Sequence, residues 1–163
     1  MREELVTPTT ARRLAAAGFA WEPQIGDWCT IFGGEHITET RVGLWVVVAL
    51  LPHLGMLGLA DATGQWPVTQ VAQRDCVPLP TIGQLKTWLR ARGYRVATGE
   101  APAMLLGATA PTVRHVCRLT RSDASTPLDG EGTSEAEALA DVILRLLGSD
   151  TADAPPPTMS GGW

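Results

Sequence analysis

Residues 134–148 read Ser134-Glu135-Ala136-Glu137-Ala138-Leu139-Ala140-Asp141-Val142-Ile143-Leu144-Arg145-Leu146-Leu147-Gly148, and their spacing decides the fold. Leu139, Val142, Ile143, Leu146 and Leu147 recur at i, i+3, i+4, i+7 and i+8, the single apolar stripe of a helix that covers a core. Ser134 and Glu137 have the spacing of a capping box, in which hydroxyl and carboxylate satisfy each other's backbone donors. Glu135, Glu137 and Asp141 occupy the early turns, where the helix dipole favours negative charge. Gly148 is the expected stop. A helix with one apolar face requires a second layer to bury it, and the upstream residues supply one.

Two earlier helices follow the same grammar. Thr7 caps a first helix over residues 8–17, with Pro8 at its first position and Gly18 just beyond it. Thr81-Ile82-Gly83-Gln84 is a second capping box, and Ile82, Leu85, Trp88 and Leu89 share one face of a helix that runs to about Arg92 and stops at Gly93. Between them lie strand segments rich in β-branched and aromatic residues at Trp28–Phe32, Leu44–Leu51, Met56–Ala60 and Gln65–Gln73. Asp61-Ala62-Thr63-Gly64 reads as a hairpin turn, and Pro67 pushes its strand to a sheet edge. Tyr94–Thr98 and Val113–Thr120 make a second pair, joined by a loop over 99–112. The expectation is an α+β fold, a small and mostly antiparallel sheet packed by about three helices, over residues 1–148. Residues 149–163, with Pro155-Pro156-Pro157 and three glycine or serine residues near the end, form a Pro/Gly-rich tail outside that fold.

The chain has 163 residues, 45% of them hydrophobic, and a net charge of −4. That balance builds a core and argues against a generic nucleic-acid binder. Segment 82–121 holds Lys86, Arg90, Arg92, Arg95, Arg114, Arg118 and Arg121 against Glu100 alone, whereas 122–163 is acidic apart from Arg145. The two segments are expected to neutralise each other within one domain. The apolar run Leu44–Ala60 is interrupted by Pro52-His53 and diluted by glycine, so no membrane span is expected. The first residues lack an apolar leader, and Cys29, Cys76 and Cys117 are odd in number and far apart, which points to free thiols in the cytoplasm.

The familiar catalytic patterns are missing. Gly33-Gly34 is followed by neither the Lys-Ser/Thr of a P-loop nor a third spaced glycine, and there is no Gly-x-Ser-x-Gly, His-Glu-x-x-His or Cys-x-x-Cys. No catalytic residue and no cofactor are expected. His115 and Cys117 project from one face of one strand and are the candidate metal ligands, but a buried Cys is most simply a small core hydrophobe. His36 and His53 fall in loops, and Cys76 is preceded by Arg74-Asp75 without a histidine base. Among six tryptophans, Trp45 and Trp88 fit buried stripes, while Trp21, Trp28 and Trp66 flank turns or edges and are the candidate binding residues.

Three stretches also resemble a known group. The helix end Ala17-Gly18-Phe19, the helix opened by Pro80-Thr81-Ile82 and carrying Trp88-Leu89-Arg90, and the opening Ser134-Glu135-Ala136-Glu137-Ala138-Leu139 are similar to small uncharacterised bacteriophage and prophage proteins. The likeness covers residues 7–19, 77–98 and 134–147. In that group the middle helix often begins Ala-Pro-Thr-Leu, where this chain has Leu79 and Ile82. The resemblance implies a phage-related origin. Together with the tryptophans it leads to an accessory or interaction protein that binds another protein through a sheet edge or its Trp-bearing loops. The alternatives are a homo-oligomeric or virion-associated structural component, and a metal- or thiol-dependent enzyme.

Overall fold

The computed structural model describes residues 5–32, 43–63, 68–103, 112–123 and 126–152. The elements, in chain order, are helix α1 (Pro8–Ala16), strands β1 (Trp28–Ile31), β2 (Trp45–Leu51), β3 (Met56–Asp61), β4 (Thr69–Ala72) and β5 (Cys76–Pro78), helix α2 (Ile82–Ala91), strands β6 (Arg95–Ala103), β7 (Thr112–Thr120) and β8 (Leu128–Gly132), and helix α3 (Glu135–Ala152). The fold is α+β, with the strands divided between two antiparallel sheets where one was expected. One has the order β4-β3-β2-β1-β5, and the other β6-β7-β8. Trp66, Pro67, His36 and the prolines of the tail lie outside the described residues.

The helix ends follow from local chemistry. Thr7 Oγ1 accepts from the Thr10 amide at 3.2 Å, and Thr81 and Gln84 exchange both bonds of the predicted capping box. Gly18 and Gly93 have φ of +93° and +82°, and each supports a double closure. The Gly18 and Phe19 amides donate to the carbonyls of Ala15 and Leu14, and those of Gly93 and Tyr94 to Arg90 and Leu89. A residue with a Cβ resists that left-handed turn. At α3 the expected box is only half formed. The Glu137 amide donates to Ser134 Oγ at 3.2 Å, but the Glu137 carboxylate reaches across to α1 and accepts from the Thr7 amide and the Thr10 hydroxyl, both at 2.6 Å. One carboxylate thereby satisfies the start of a different helix. Gly148 does not stop α3, which continues to Ala152 without a left-handed turn.

The predicted stripes meet. Leu139, Val142 and Ile143 are fully buried in one cluster with Leu85 and Leu89, and Leu146 and Trp88 pack on its margin. On β7, Cys117 and Leu119 are buried as alternation requires, whereas Val113 at the strand's start is 59% exposed. A second cluster, of Cys29, Ile31, Trp45, Val47, Leu57, Leu59 and Cys76, fills one face of the five-stranded sheet.

Two strands were missed. β5 is short and pairs with β1, and β8 carries no strand signal in its sequence, because Leu128-Asp129-Gly130-Glu131-Gly132 is rich in glycine and acid. Its alternation is real but of an unusual kind. Asp129 and Glu131 point outward to Arg118 and Arg114 on β7, while Gly130 and Gly132 face α3. A Cβ on Gly132 would lie 2.5 Å from the Ala138 nitrogen, and one on Gly130 2.6 Å from the Ala138 oxygen. Here glycine lets helix and strand backbones touch.

The predicted charge compensation is also present. Arg114–Glu131, Arg118–Asp129, Arg121–Asp123 and Lys86–Glu135 join the basic segment to the acidic one. Glu135 accepts from Lys86 Nζ at 2.6 Å and from Thr98 Oγ1 at 2.9 Å. The lysine's hydrogen bond is the main reason its carboxyl is held below the ordinary 4.5. A lowered carboxylate stabilises the fold fully above its unfolded value, and that increment disappears as pH falls through the lowered one. The stability difference between wild type and Lys86→Met is therefore expected to be pH-independent near neutrality and to change as the pH drops below 4.5. Urea unfolding across that range measures it, and a constant difference would place the lysine's contribution in its apolar stem.

Candidate functional site

The connection from α1 to β1 is not a slack loop. Gly26, with φ +97°, turns the chain so that its amide donates to the Val47 carbonyl at 2.8 Å, and Val47 N–H returns a bond to the Asp27 carbonyl at 2.9 Å. The Asp27 carboxylate then gathers three donors: the Trp21 indole N–H at 2.9 Å, the Gln24 amide at 3.0 Å and the Gln84 side-chain amide at 2.7 Å. Gln84 is already committed through its oxygen, which accepts from the Thr81 amide at 2.9 Å. The side chain that caps α2 also ties the helix to the loop. Each end of its amide is used, so its orientation is determined on both sides.

The loop, β1 and α2 enclose a groove of about 560 Å³. Its apolar surface comes from Phe19, Trp21, Trp28 and Trp88, with Pro78 and Pro80 along one side and Glu22, Gln24 and Thr87 at the rim. All four aromatic side chains are half-buried. Phe19 and Trp88 pack with their rings tilted by 33° and centroids 5.5 Å apart, and the Arg92 guanidinium covers the Trp88 ring at 3.6 Å from its centroid. The Trp21 N–H is spent on Asp27, so that residue presents ring surface rather than a donor. Ile25, 70% exposed, belongs to the same loop. A concavity with aromatic walls, polar side chains at its rim and a clamped frame suits an amphipathic ligand segment.

Two of the three tryptophans read as binding residues, Trp21 and Trp28, are thus brought together, and Trp66 lies outside the described residues. Phe19, Trp88, Asp27 and Gln84 were missed as site residues. Trp88 had been placed in the core stripe, where its inner edge does pack. The Asp27 network carried no sequence signal, because Trp21, Asp27 and Gln84 meet only through the fold.

The other candidates assemble less. Cys117 is buried and its thiol is pushed up to about 11, chiefly by that burial, with Lys86 acting in the opposite sense. A metal requires the thiolate, and among the described residues no three or more His, Cys, Asp or Glu side chains are placed so that they could hold a metal ion. His115 is half-buried and lines a cleft together with Glu100 and Glu135. Arg74, the cation nearest Cys76 in sequence, directs an 88% exposed side chain toward Asp75 at 3.9 Å. Among the described residues no helix is long and apolar enough to cross a membrane. Compared with protein-family models, with curated proteins and with solved structures, the chain matches none.

Proposed function

We propose that this protein acts by binding another protein, taking an extended peptide segment of its partner into the aromatic groove, and that it is a phage-related accessory protein. The observation that carries the reading is the convergence of Phe19, Trp21, Trp28 and Trp88 on one open concavity whose loop and helix are locked together by Asp27 and Gln84. Aromatic side chains left half-exposed in a rigid frame supply large contact area at little entropic cost, and such residues dominate binding energies at interfaces. The phage setting is supported by the resemblance of the helix-opening motifs alone.

Selection of a random-peptide display library on the folded protein tests the binding. Enriched peptides are expected to bind wild type and to lose about 2 kcal/mol, roughly thirtyfold in Kd, on Trp21→Ala. Trp21 stands in a loop, so the thermal midpoint of that variant verifies that the fold persists. Peptides that bind the variant as well as wild type would move the site away from the groove.

A further inference from the structure

Cys29 and Cys76, remote in sequence, are neighbours in the five-stranded sheet. In the β1–β5 ladder Cys29 lies opposite Pro78, and Cys76 opposite Ile31. The period of two places both cysteines on the same face as Ile31, diagonally adjacent within one buried cluster. The two thiols lie near enough to shift each other's ionisation, Cys29 upward and Cys76 downward, and Cys76 Sγ contacts the Ala72 carbonyl at 3.6 Å as a donor. Both are reduced in this structure. β5 has three residues and forms the edge of the sheet, paired to β1 alone.

We propose that Cys29 and Cys76 are a redox pair that closes reversibly into a cross-strand disulfide, with a low-molecular-weight disulfide as the oxidant. Cys76 is the attacking sulfur. It keeps 7% exposure against none for Cys29, and the neighbouring Cys29 thiol favours its thiolate, while Cys29 itself is raised by its closeness to Cys76 and by burial. The Cys76 thiolate attacks one sulfur of the oxidant and forms a mixed disulfide, and the other sulfur leaves as a thiolate that takes up a proton. Cys29 then loses its proton and attacks Cys76 Sγ, expelling the second small thiol. The protein gives up two electrons and two protons, and the oxidant is reduced to two thiols.

The diagonal register explains why the bond is reversible. Diagonal Cα atoms stand about 7–8 Å apart in an antiparallel ladder, and an unstrained disulfide spans at most about 6.8 Å. Closure therefore draws β5 toward β1 by roughly 1 Å, which a short edge strand held on one side permits. A bond formed under that tension is easily reduced.

The test uses the folded full chain and oxidised glutathione as the probe. After incubation and denaturing alkylation, the thiol titre is expected to fall from three to one, the intact mass to drop by two hydrogens, and a protease digest to join the Cys29 and Cys76 peptides. Dithiothreitol should restore all three thiols, and Cys117→Ser should close as readily as wild type. Cys29→Ser, lacking the resolving sulfur, should instead retain glutathione on Cys76. Should that variant fail to fold, the wild-type digest still decides. Three thiols surviving the treatment, a bond that includes Cys117, or a stable glutathione adduct on wild type would overturn the proposal.

Discussion

Replacing Ile143 with alanine is expected to lower the free energy of unfolding by about 2–5 kcal/mol, the range for truncating a large aliphatic side chain in a core. Ile143 is fully buried on the inner face of α3, in the cluster it shares with Leu85 and Leu89 of α2 and with Cys117 and Leu119 of β7. The cluster also draws Ala11 and Leu14 from α1, so collapse around the lost side chain would need several elements to shift together, and the loss should fall well inside that range. Chemical denaturation measures it. A loss far below 2 kcal/mol would mean that α3 yields locally around the cavity.

Gly132→Ala should be comparably severe although it adds only one methyl group. The new Cβ would sit 2.5 Å from the Ala138 nitrogen and 2.7 Å from the Glu137 carbonyl carbon, and both are backbone atoms of α3. Flexible side chains can move from such a contact, but a helix backbone moves only as a whole. Relieving it requires lifting the first turns of α3 from β8, which would disturb the bonds from Glu137 to Thr7 and Thr10 as well. A cost of about 3 kcal/mol, at the upper end of the usual overpacking penalty, is expected. A melt unchanged from wild type would show that α3 does not press on β8 as described.

What could be read from the sequence divides along a physical line. Capping residues, left-handed glycines and apolar stripes are local, and α1, α2 and α3 begin where Thr7, Thr81 and Ser134 place them. Gly148 shows the limit of that grammar, since a glycine ends a helix only when the chain beyond it turns. β8 was hidden because its inward positions are glycine for the sake of a contact with a helix not yet formed. The predicted loop 99–112 is partly strand, with β6 running to Ala103 and β7 starting at Thr112, because cross-strand pairing extends a hairpin beyond what its composition advertises. Trp21 and Trp28 could be singled out as amphipathic residues beside turns. That they face Trp88 depended on how Gln84 joins the helix to the loop, a tertiary fact.

The strands β1 and β5 serve two interiors at once. Along each, alternate residues point to opposite sides: Cys29, Ile31 and Cys76 enter the cluster of the five-stranded sheet, whereas Trp28 and Val77 pack on the cluster built from the helices. Neither half of the molecule owns these residues. Cutting the chain near Leu79, where one half passes into the other, would strip an apolar face from whichever piece kept the strands and remove their covering from the piece that lost them. The two halves are therefore expected to unfold together, and division of the chain at the boundary that the topology suggests is expected to destabilise both pieces.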